Sequence, residues 1–310
     1  MLHVLRSPLR ALLLGLLLLP SLAGCDSARI AARSSARIAR RAAPGVEQLW
    51  DWELAGDAMP STIMQLEAMC RVDPDNDELV LRLARTYVGY AYGWVEDRAD
   101  QLELEGNYSG GDEQRRRAKY MYLRAKDLGL YLVRDREDGL DRAMSQGEAA
   151  LERWLAASFD DEDDAPLLFW TGSAWASYIG ASRDDMSAAA DLPYARAFVR
   201  RSVALDPEYQ NYAGTATLGA IEASIADGDL EASKRLFDQA LERTQRRALP
   251  VLVNMANTYA VQTQDRALYV ALLREALEAG DVLPEARLMN RVAKRRAARY
   301  LRQVDTRFPQ

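Results

Sequence analysis

Histidine and cysteine are the scarce residues of this sequence, which has one histidine and two cysteines among its 310 residues. The histidine is His3, inside an amino-terminal segment that we expect to be removed. Without an imidazole, the remaining chain lacks the side chain that serves catalytic triads and proton transfer near neutral pH. Two cysteines are too few for zinc sites of the usual kinds. We expect no metal or cofactor, and any catalysis would have to rest on carboxylates, lysine, serine or tyrosine.

Positive charge is also in the minority. The chain has 40 lysines and arginines against 46 aspartates and glutamates, a net charge of −6. The amino-terminal segment holds Arg6 and Arg10 and no acid, so its removal leaves a more acidic chain. A general nucleic-acid binder needs a basic face. The composition therefore excludes nucleic acid as a general partner.

Residues 1–24 have the layout of a lipoprotein signal peptide. Two arginines precede the leucine-rich run 11–19, which is too short to span a bilayer. Small residues at 23 and 24 come directly before Cys25. We predict cleavage before Cys25 and lipid on its thiol, so that the mature protein is anchored in the bacterial envelope and faces the periplasm. An ordinary signal peptide with a chance cysteine is the alternative.

Residues 25–45 are predicted to form a basic tether between the lipid and the domain. The segment carries five arginines and no acid after Asp26, and it closes at Pro44-Gly45. We favour a solvated linker. The alternative is a basic helix lying on anionic lipid. Whether the membrane is the inner or the outer one stays open.

From Val46 onward, apolar residues recur every three or four positions, and convincing alternating strands are absent. We predict an all-α domain at 46–310 with about twelve helices, separated by Asp-Pro, Leu-Pro and Gly-Asp pairs and by a glycine-rich loop at 106–111. The predicted helices are 46–56, 60–72, 76–97, 112–136, 138–158, 165–181, 184–205, 211–227, 229–247, 250–263, 264–279 and 284–304.

Three segments match the helix-pairing pattern of tetratricopeptide repeats. The matching residues are Ala195, Val199, Ser202 and Pro207 in one segment, Ser233, Phe237 and Ala240 in the next, and Val80, Leu83, Ala84 and Tyr87 in the third. Small residues let two antiparallel helices approach closely, and an aromatic ring fills the gap at the crossing. We predict a tetratricopeptide-like α-α superhelix, irregular because 98–164 does not fit the 34-residue period.

Two acidic groups are weighed as cation sites. Asp73, Asp75 and Asp77 have the spacing of an EF-hand loop, but the required glycine and final glutamate are missing. We predict that they cap a helix beginning near Asn76. The acidic run 160–164 is predicted to be a solvated loop that caps the next helix, with a weak cation site as the alternative. No spacing selects two acids for glycoside cleavage.

Aromatic side chains are the candidate binding residues. Trp170, Trp175 and Tyr178 lie in a predicted helix rich in serine, alanine and glycine, which permits tight backbone packing. Core packing accounts for these rings, and a ligand groove or subunit interface is the alternative.

A second aromatic group lies on the predicted helix 76–97: Tyr87, Tyr90, Tyr92 and Trp94. These rings cover more than one face of the helix, so they cannot all point into one core. We expect at least one of them to meet a partner, a neighbouring helix or a ligand, and we select Tyr90 and Trp94 as candidates.

A set of packing and turn motifs runs through the chain: Leu167-Leu168-Phe169-Trp170, Leu205-Asp206-Pro207-Glu208-Tyr209, Gly228-Asp229, Phe237-Asp238-Gln239-Ala240, Tyr259, Gln264-Asp265-Arg266, Leu288-Met289-Asn290 and Asp305-Thr306-Arg307-Phe308. In these motifs the sequence resembles the T-component (TatT) family of TRAP transporters, periplasmic lipoproteins associated with these solute importers. The resemblance extends over roughly 50–308.

The resemblance implies a non-catalytic helical repeat protein that binds the periplasmic solute-binding subunit of a TRAP system. It also implies a homo-oligomer, with a trimer as the expected state, and a channel through each subunit that holds or passes an organic ligand. Two other hypotheses stay open. One is a general tetratricopeptide scaffold lipoprotein for an envelope assembly or secretion complex. The other is a carboxylate-based hydrolase of envelope glycans, which requires buried acids with raised pKa values in a cleft.

Overall fold

The fold is all-α wherever the structure describes the chain. The computed structural model describes residues 24–182, 185–225 and 228–309, and no strand occurs within them. The predicted fold class is therefore confirmed. The predicted leader before Gly24 lies outside the described residues, so its cleavage and the lipid on Cys25 stay predictions.

The α-helices are α1 Gly24–Glu47, α2 Trp52–Val72, α3 Asp77–Tyr90, α4 Glu96–Leu104, α5 Tyr108–Arg136, α6 Leu140–Ser145, α7 Glu148–Ser158, α8 Ala165–Ala181, α9 Met186–Ala189, α10 Leu192–Leu205, α11 Tyr209–Ser224, α12 Leu230–Arg243, α13 Leu249–Met255, α14 Arg266–Glu278, α15 Arg287–Arg302 and α16 Val304–Arg307. Helices α3 and α13 continue into π-helical turns at Ala91–Val95 and Ala256–Ala260. Short 3₁₀ turns at Glu162–Asp164 and Pro284–Ala286 precede α8 and α15.

Two predicted helix divisions are wrong, one at the amino-terminal end of the domain and one in its middle. The helices predicted at 46–56 and 60–72 are replaced by the single helix α2, which contains Pro60. Pro60 is exposed, so water can hydrate the carbonyl that loses its hydrogen-bond donor. The helix predicted at 184–205 begins outside the described residues and is divided into α9 and α10.

Glycine and asparagine account for two further differences. The helix predicted at 138–158 is divided into α6 and α7, because Gly147 takes a left-handed φ of +91° between them. The loop predicted at 106–111 is shorter than expected. Asn107 ends it by accepting a hydrogen bond from the backbone N–H of Gly110 at 3.0 Å, which caps α5.

Helices α8 and α10 form a closely packed antiparallel pair. The Ser202 hydroxyl donates a hydrogen bond to the Ala165 carbonyl at 2.8 Å near one end of the pair. The Trp175 indole N–H donates to the Asp191 carboxylate at 3.3 Å near the other end. Gly172 lies between these contacts, where a side chain would collide with α10. The small residues thus allow the backbones to approach.

Helices α11 and α12 repeat this arrangement. The Ser233 hydroxyl donates a hydrogen bond to the Gly219 carbonyl at 2.7 Å, and the Phe237 ring lies against Gly219. Ser233, Phe237 and Ala240 are all fully buried. The matched serines of the two pairs make the same kind of contact, so the packing fits a tetratricopeptide-like superhelix.

Buried ion pairs join α4 to α15 across most of the chain. Arg299 pairs with Asp97, and Arg296 pairs with Glu96 while donating a hydrogen bond to the Tyr92 carbonyl at 3.0 Å. Both arginines are buried. These contacts fix α15 against helices from the first third of the chain.

The structure gives helix α1 where we favoured a solvated linker. Ala32 and Ala36 are buried in the apolar core. The Arg33 guanidinium donates hydrogen bonds to both oxygens of the Asp73 carboxylate, the shorter at 2.9 Å, and Asp73 is fully buried. The segment is therefore helical, and α1 is docked on the domain. Its contact with lipid stays a prediction.

We expect Asp73→Asn to loosen α1. The hydrogen bond from Arg33 holds the pKa of the Asp73 carboxyl below its ordinary 3.8. The pair therefore stabilises the fold above about pH 3.8, and this contribution is lost as the pH falls through the lowered pKa of the folded state. At pH 7 the variant should exchange its amide hydrogens at residues 29–41 at least tenfold faster, as measured by mass spectrometry.

Asp75→Asn is the matched control for this experiment. Asp75 faces Arg29 at 3.7 Å, but its side chain is 70% exposed, so its loss should change amide exchange little. Equal exchange in the two variants would show that Asp73 does not hold α1.

Candidate functional site

Tyr90 and Trp94 belong to a stack of rings between helices. The Trp94 ring stacks on Trp52 of α2, with 5.6 Å between ring centroids, and on Tyr90, with 6.1 Å. The Trp94 indole N–H donates a hydrogen bond to the Trp52 carbonyl at 3.0 Å. Arg117 of α5 lies 5.5 Å from the centroid of the Tyr90 ring. This stack therefore runs from α2 to α5.

The other two tyrosines of this segment also meet neighbouring helices. The Tyr87 hydroxyl donates a hydrogen bond to Glu67 of α2 at 2.9 Å. The Tyr92 ring lies against the guanidinium of Arg296 of α15, at 3.8 Å from the ring centroid. Of the possibilities left open for these rings, contact with neighbouring helices is the one found.

Trp170 contacts two helices that flank α8. Its indole N–H donates a hydrogen bond to the Tyr209 hydroxyl at 2.9 Å. The Arg85 guanidinium of α3 lies 5.5 Å from its ring centroid. These contacts hold the ring between α3 and the start of α11.

Trp175 is a core residue, and Tyr178 lies at the edge of the core. Only 1% of Trp175 is exposed, and its ring packs against Phe198 with 6.1 Å between centroids. The Lys126 ammonium lies over both Trp175 and Tyr178, at 5.5 and 5.3 Å from the ring centroids. The five selected aromatic residues thus form separate groups, and a ligand role for them stays a prediction.

An open cleft with a volume of about 690 Å³ lies on α3 and α5. It is lined by Tyr87, Glu113, Arg116, Arg117, Tyr120, Met121 and Arg124. We call it the α3–α5 cleft. None of the five selected aromatic residues lines it, although Tyr90 adjoins it through Arg117.

One side of the cleft is fixed by a hydrogen-bonded group. Arg124 donates two hydrogen bonds to the Glu67 carboxylate, at 3.0 and 2.9 Å, and this interaction lowers the pKa of Glu67. Burial, followed by the hydrogen bond to Glu67, raises the pKa of the neighbouring Tyr87 phenol to about 12. The phenol therefore stays protonated and acts as a hydrogen-bond donor.

The other side of the cleft is open and cationic. Arg116 is exposed and makes no ion pair among the residues that the structure describes. Arg117 makes only long hydrogen bonds, at 3.5 Å, to Gln114 and to the Tyr90 hydroxyl. Tyr120 is 67% exposed. Exposed guanidinium groups beside a phenol can bind a carboxylate while packing against an apolar or aromatic group.

Sequence reasoning missed this cleft for a physical reason. The basic run at 115–117 looks like an ordinary solvated helix face, and its cleft appears only when α5 packs beside α3. Arg115 is tied to Asp100 and Glu103 of α4 at 2.9 and 2.6 Å. The available signal was Tyr120 following Arg116 by one helical turn.

Neither acidic group that was weighed as a cation site forms one here: within the described residues, no group of three histidines, cysteines or acids could hold a metal ion. The cap of α3 is Asn76, which accepts from the Leu79 N–H at 3.2 Å, and not one of the three aspartates predicted to cap this helix. Of these, Asp77 lies in the first turn of α3, and Asp73 pairs with Arg33 instead. In the acidic run, Asp161 accepts from the Asp163 N–H at 2.9 Å. Asp164 pairs with an arginine of α5 instead of capping α8.

The acids and the thiol of the described chain are poorly suited to catalysis. Buried Asp73, Asp97 and Asp100 each face an arginine. The carboxyl groups with a shifted pKa all have it lowered: Glu67, Asp73, Asp141, Asp185 and Asp281. Burial raises the pKa of the Cys70 thiol to about 11, which disfavours the reactive thiolate. A carboxylate-based hydrolase is not favoured.

The fold defines a class: an all-helical protein with repeat-like helix packing. The family model for the TRAP transporter T-component matches residues 49–308. The chain belongs to this family, as the motifs in its sequence indicated. Membership associates it with a TRAP transporter system as an accessory component, in the cell envelope.

The chain also has a distant relative whose own function is not characterized. An uncharacterized protein of Treponema pallidum (strain Nichols) is 23% identical over 257 residues, which cover 80% of this chain and 77% of the relative. Among the described residues, no helix has both the length and the apolar character needed to cross a membrane.

Proposed function

We propose that this protein is an envelope-anchored accessory lipoprotein that binds the periplasmic solute-binding subunit of a TRAP transporter through the α3–α5 cleft. The family match over 49–308 carries the proposal, because it spans nearly the whole domain that follows α1. The cleft supplies the surface for this interaction.

The chemistry of the cleft supports a protein partner with an acidic surface. Arginine and tyrosine contribute a large share of the binding energy at protein interfaces. Arg116, Arg117 and Tyr120 stand exposed together on α5. Behind them Arg124 and Glu67 are already paired, so the surface is preorganised and binding loses little side-chain entropy.

The anchor at Cys25 supports the same function. Helix α1 begins at Gly24 and is docked on the domain through Arg33 and Asp73. A lipid on Cys25 would therefore hold the domain close to the membrane surface instead of at the end of a flexible linker. A periplasmic subunit captured there would be delivered near its membrane partner.

The homo-oligomer and the organic ligand implied by the family are parts of the same proposal. We expect a trimer, which light scattering of the detergent-solubilised protein would measure. A general scaffold role in envelope assembly or secretion is the alternative, and the repeat-like helix packing is compatible with either role.

The test is a pull-down from detergent-solubilised envelopes with the full lipidated chain as bait and mass spectrometry of the captured proteins. We expect the solute-binding subunit of a TRAP system. Arg116→Glu with Arg117→Glu should reduce its recovery at least tenfold, because two repulsive charges replace two attractive ones. The control pair is Arg153→Glu with Arg243→Glu, which makes the same charge change at two exposed arginines on α7 and α12.

Loss of capture in the cleft variant alone would support both the partner and the surface. Equal capture by the two variants would remove the cleft from the proposal while leaving the partner. Capture of secretion or outer-membrane assembly components, without a solute-binding subunit, would instead favour the scaffold.

A further inference from the structure

The arginines of α1 fall into two sets, one beside the domain and one turned away from it. The first set faces the domain and pairs with acids at the start of α3 and just before it: Arg29 with Asp75 at 3.7 Å, Arg33 with Asp73 at 2.9 Å and Arg40 with Glu78 at 3.5 Å. The charges on this side of α1 are therefore neutralised within the protein.

The second set lies opposite the buried Ala32 and Ala36, about 80° around the helix from the first set. At 100° per residue, Ile30, Arg37 and Arg41 fall within about 40° of one another, and Ile38 lies about 60° beyond Arg41 on the same solvent-facing half of the helix. Ile30 and Ile38 are 60% and 68% exposed. Arg37 and Arg41 are exposed and have no ion-pair partner among the described residues. We call these four residues the outer face of α1.

We propose that the outer face of α1 lies flat on a membrane surface rich in anionic lipid. Two arginines without ion-pair partners complement anionic headgroups, and the two exposed isoleucines of this face can enter the boundary between headgroups and acyl chains. The proposal rests on the anchor proposed above, because a lipid on Cys25 would start this same helix at the bilayer.

The docked side of the helix gives the contact a consequence. Ala32 and Ala36 are buried in the domain core, so α1 cannot turn its outer face to the membrane without turning the domain as well. The contact thus fixes the orientation of the whole protein on the bilayer. Lipid on Cys25 alone would fix only the distance.

The experiment measures binding to lipid vesicles without the acyl anchor. The protein used is the chain from residue 25 onward with Cys25→Ser. It is sedimented with phosphatidylcholine vesicles that contain either no phosphatidylglycerol or about 40 mole per cent of it, which gives a strongly anionic surface. We expect binding to the anionic vesicles only, and weaker binding in high salt because salt screens the attraction.

Two variants test the outer face. Arg37→Gln with Arg41→Gln should lower the partition coefficient roughly 30-fold, from two basic contacts, and Ile30→Ser with Ile38→Ser should also lower it. The control, Arg153→Gln with Arg243→Gln, removes the same charge from α7 and α12 and should bind like the parent. Circular dichroism and denaturant unfolding confirm that each variant is folded.

No binding to anionic vesicles, or equal loss in the outer-face and control variants, would overturn the proposal. A protein partner for this face would appear as no vesicle binding together with loss of a captured protein when Arg37 and Arg41 are replaced in the pull-down. Because the vesicle experiment uses neither the acyl chain nor a solute-binding subunit, its result is separate from success or failure of the proposed function.

Discussion

Replacing Arg299 with methionine is expected to lower the free energy of unfolding by about 3–5 kcal/mol. Arg299 and Asp97 form an ion pair in which each side chain is only 5% exposed. The methionine would leave the Asp97 carboxylate buried without its main partner, and removal of one member of a buried pair costs far more than the pair contributes. Denaturant unfolding followed by circular dichroism measures the change.

The same helix supplies the control. Arg302 is exposed and lies on α15 about one helical turn after Arg299. Arg302→Met should therefore change the free energy of unfolding by less than about 0.5 kcal/mol. The double variant Arg299→Met with Asp97→Asn should recover part of the loss, because no uncompensated charge remains. A decrease in the free energy of unfolding of less than about 1 kcal/mol in Arg299→Met would contradict the prediction. If the methionine variant does not fold, Arg299→Lys should fold with a smaller decrease in the free energy of unfolding.

Replacing Gly172 with alanine is expected to lower the free energy of unfolding by about 2–3 kcal/mol, because the core is overpacked. A Cβ atom at this position would lie 2.7 Å from a methyl of Val199, 2.8 Å from the Ala195 carbonyl oxygen and 3.0 Å from the Phe198 Cβ. Two of these contacts involve atoms at or next to the backbone of α10. Relief therefore requires the two helices to separate.

Gly180 is the matched position on the same helix. A Cβ atom there meets nothing within 4 Å, and alanine is the better helix former. Gly180→Ala should therefore raise the free energy of unfolding, by up to about 1 kcal/mol. If the two alanine variants shifted the unfolding midpoint in the same direction, close packing at Gly172 would not be the cause.

The sequence predicts helices well where local residues decide the boundaries. Helix α8 has the predicted bounds, with Pro166 in its first turn, where a missing N–H costs nothing. Prediction failed where distant residues decide. Helix α1 buries little beyond Ala32 and Ala36, and the acids that pair with its arginines lie about 40 residues further along, so its own sequence looks like a linker.

The site follows the same division. The packing motifs of the sequence indicate the family, and the sequence also marks Trp170 and Trp175 as candidate binding residues. The α3–α5 cleft could not be predicted, because Arg116 and Tyr87 become neighbours only through the packing of two helices. The sequence of α5 predicts which residues share one face of that helix. The cleft also depends on α3, which lies beside that face and which the sequence of α5 cannot predict.

The pairing of Asp97 with Arg299 also bears on the order in which parts of the chain fold. These residues are 202 positions apart, so Asp97 has no arginine at position 299 to meet until nearly all of the polypeptide has been synthesised. Until then water must solvate its carboxylate, which keeps that part of α4 from closing into a dry interior. Closing so long a loop is slow and entropically costly. We therefore expect α15 to dock late in folding. In a chain truncated before α15, the Asp97 carboxylate would stay solvated and the packing around α4 would stay incomplete.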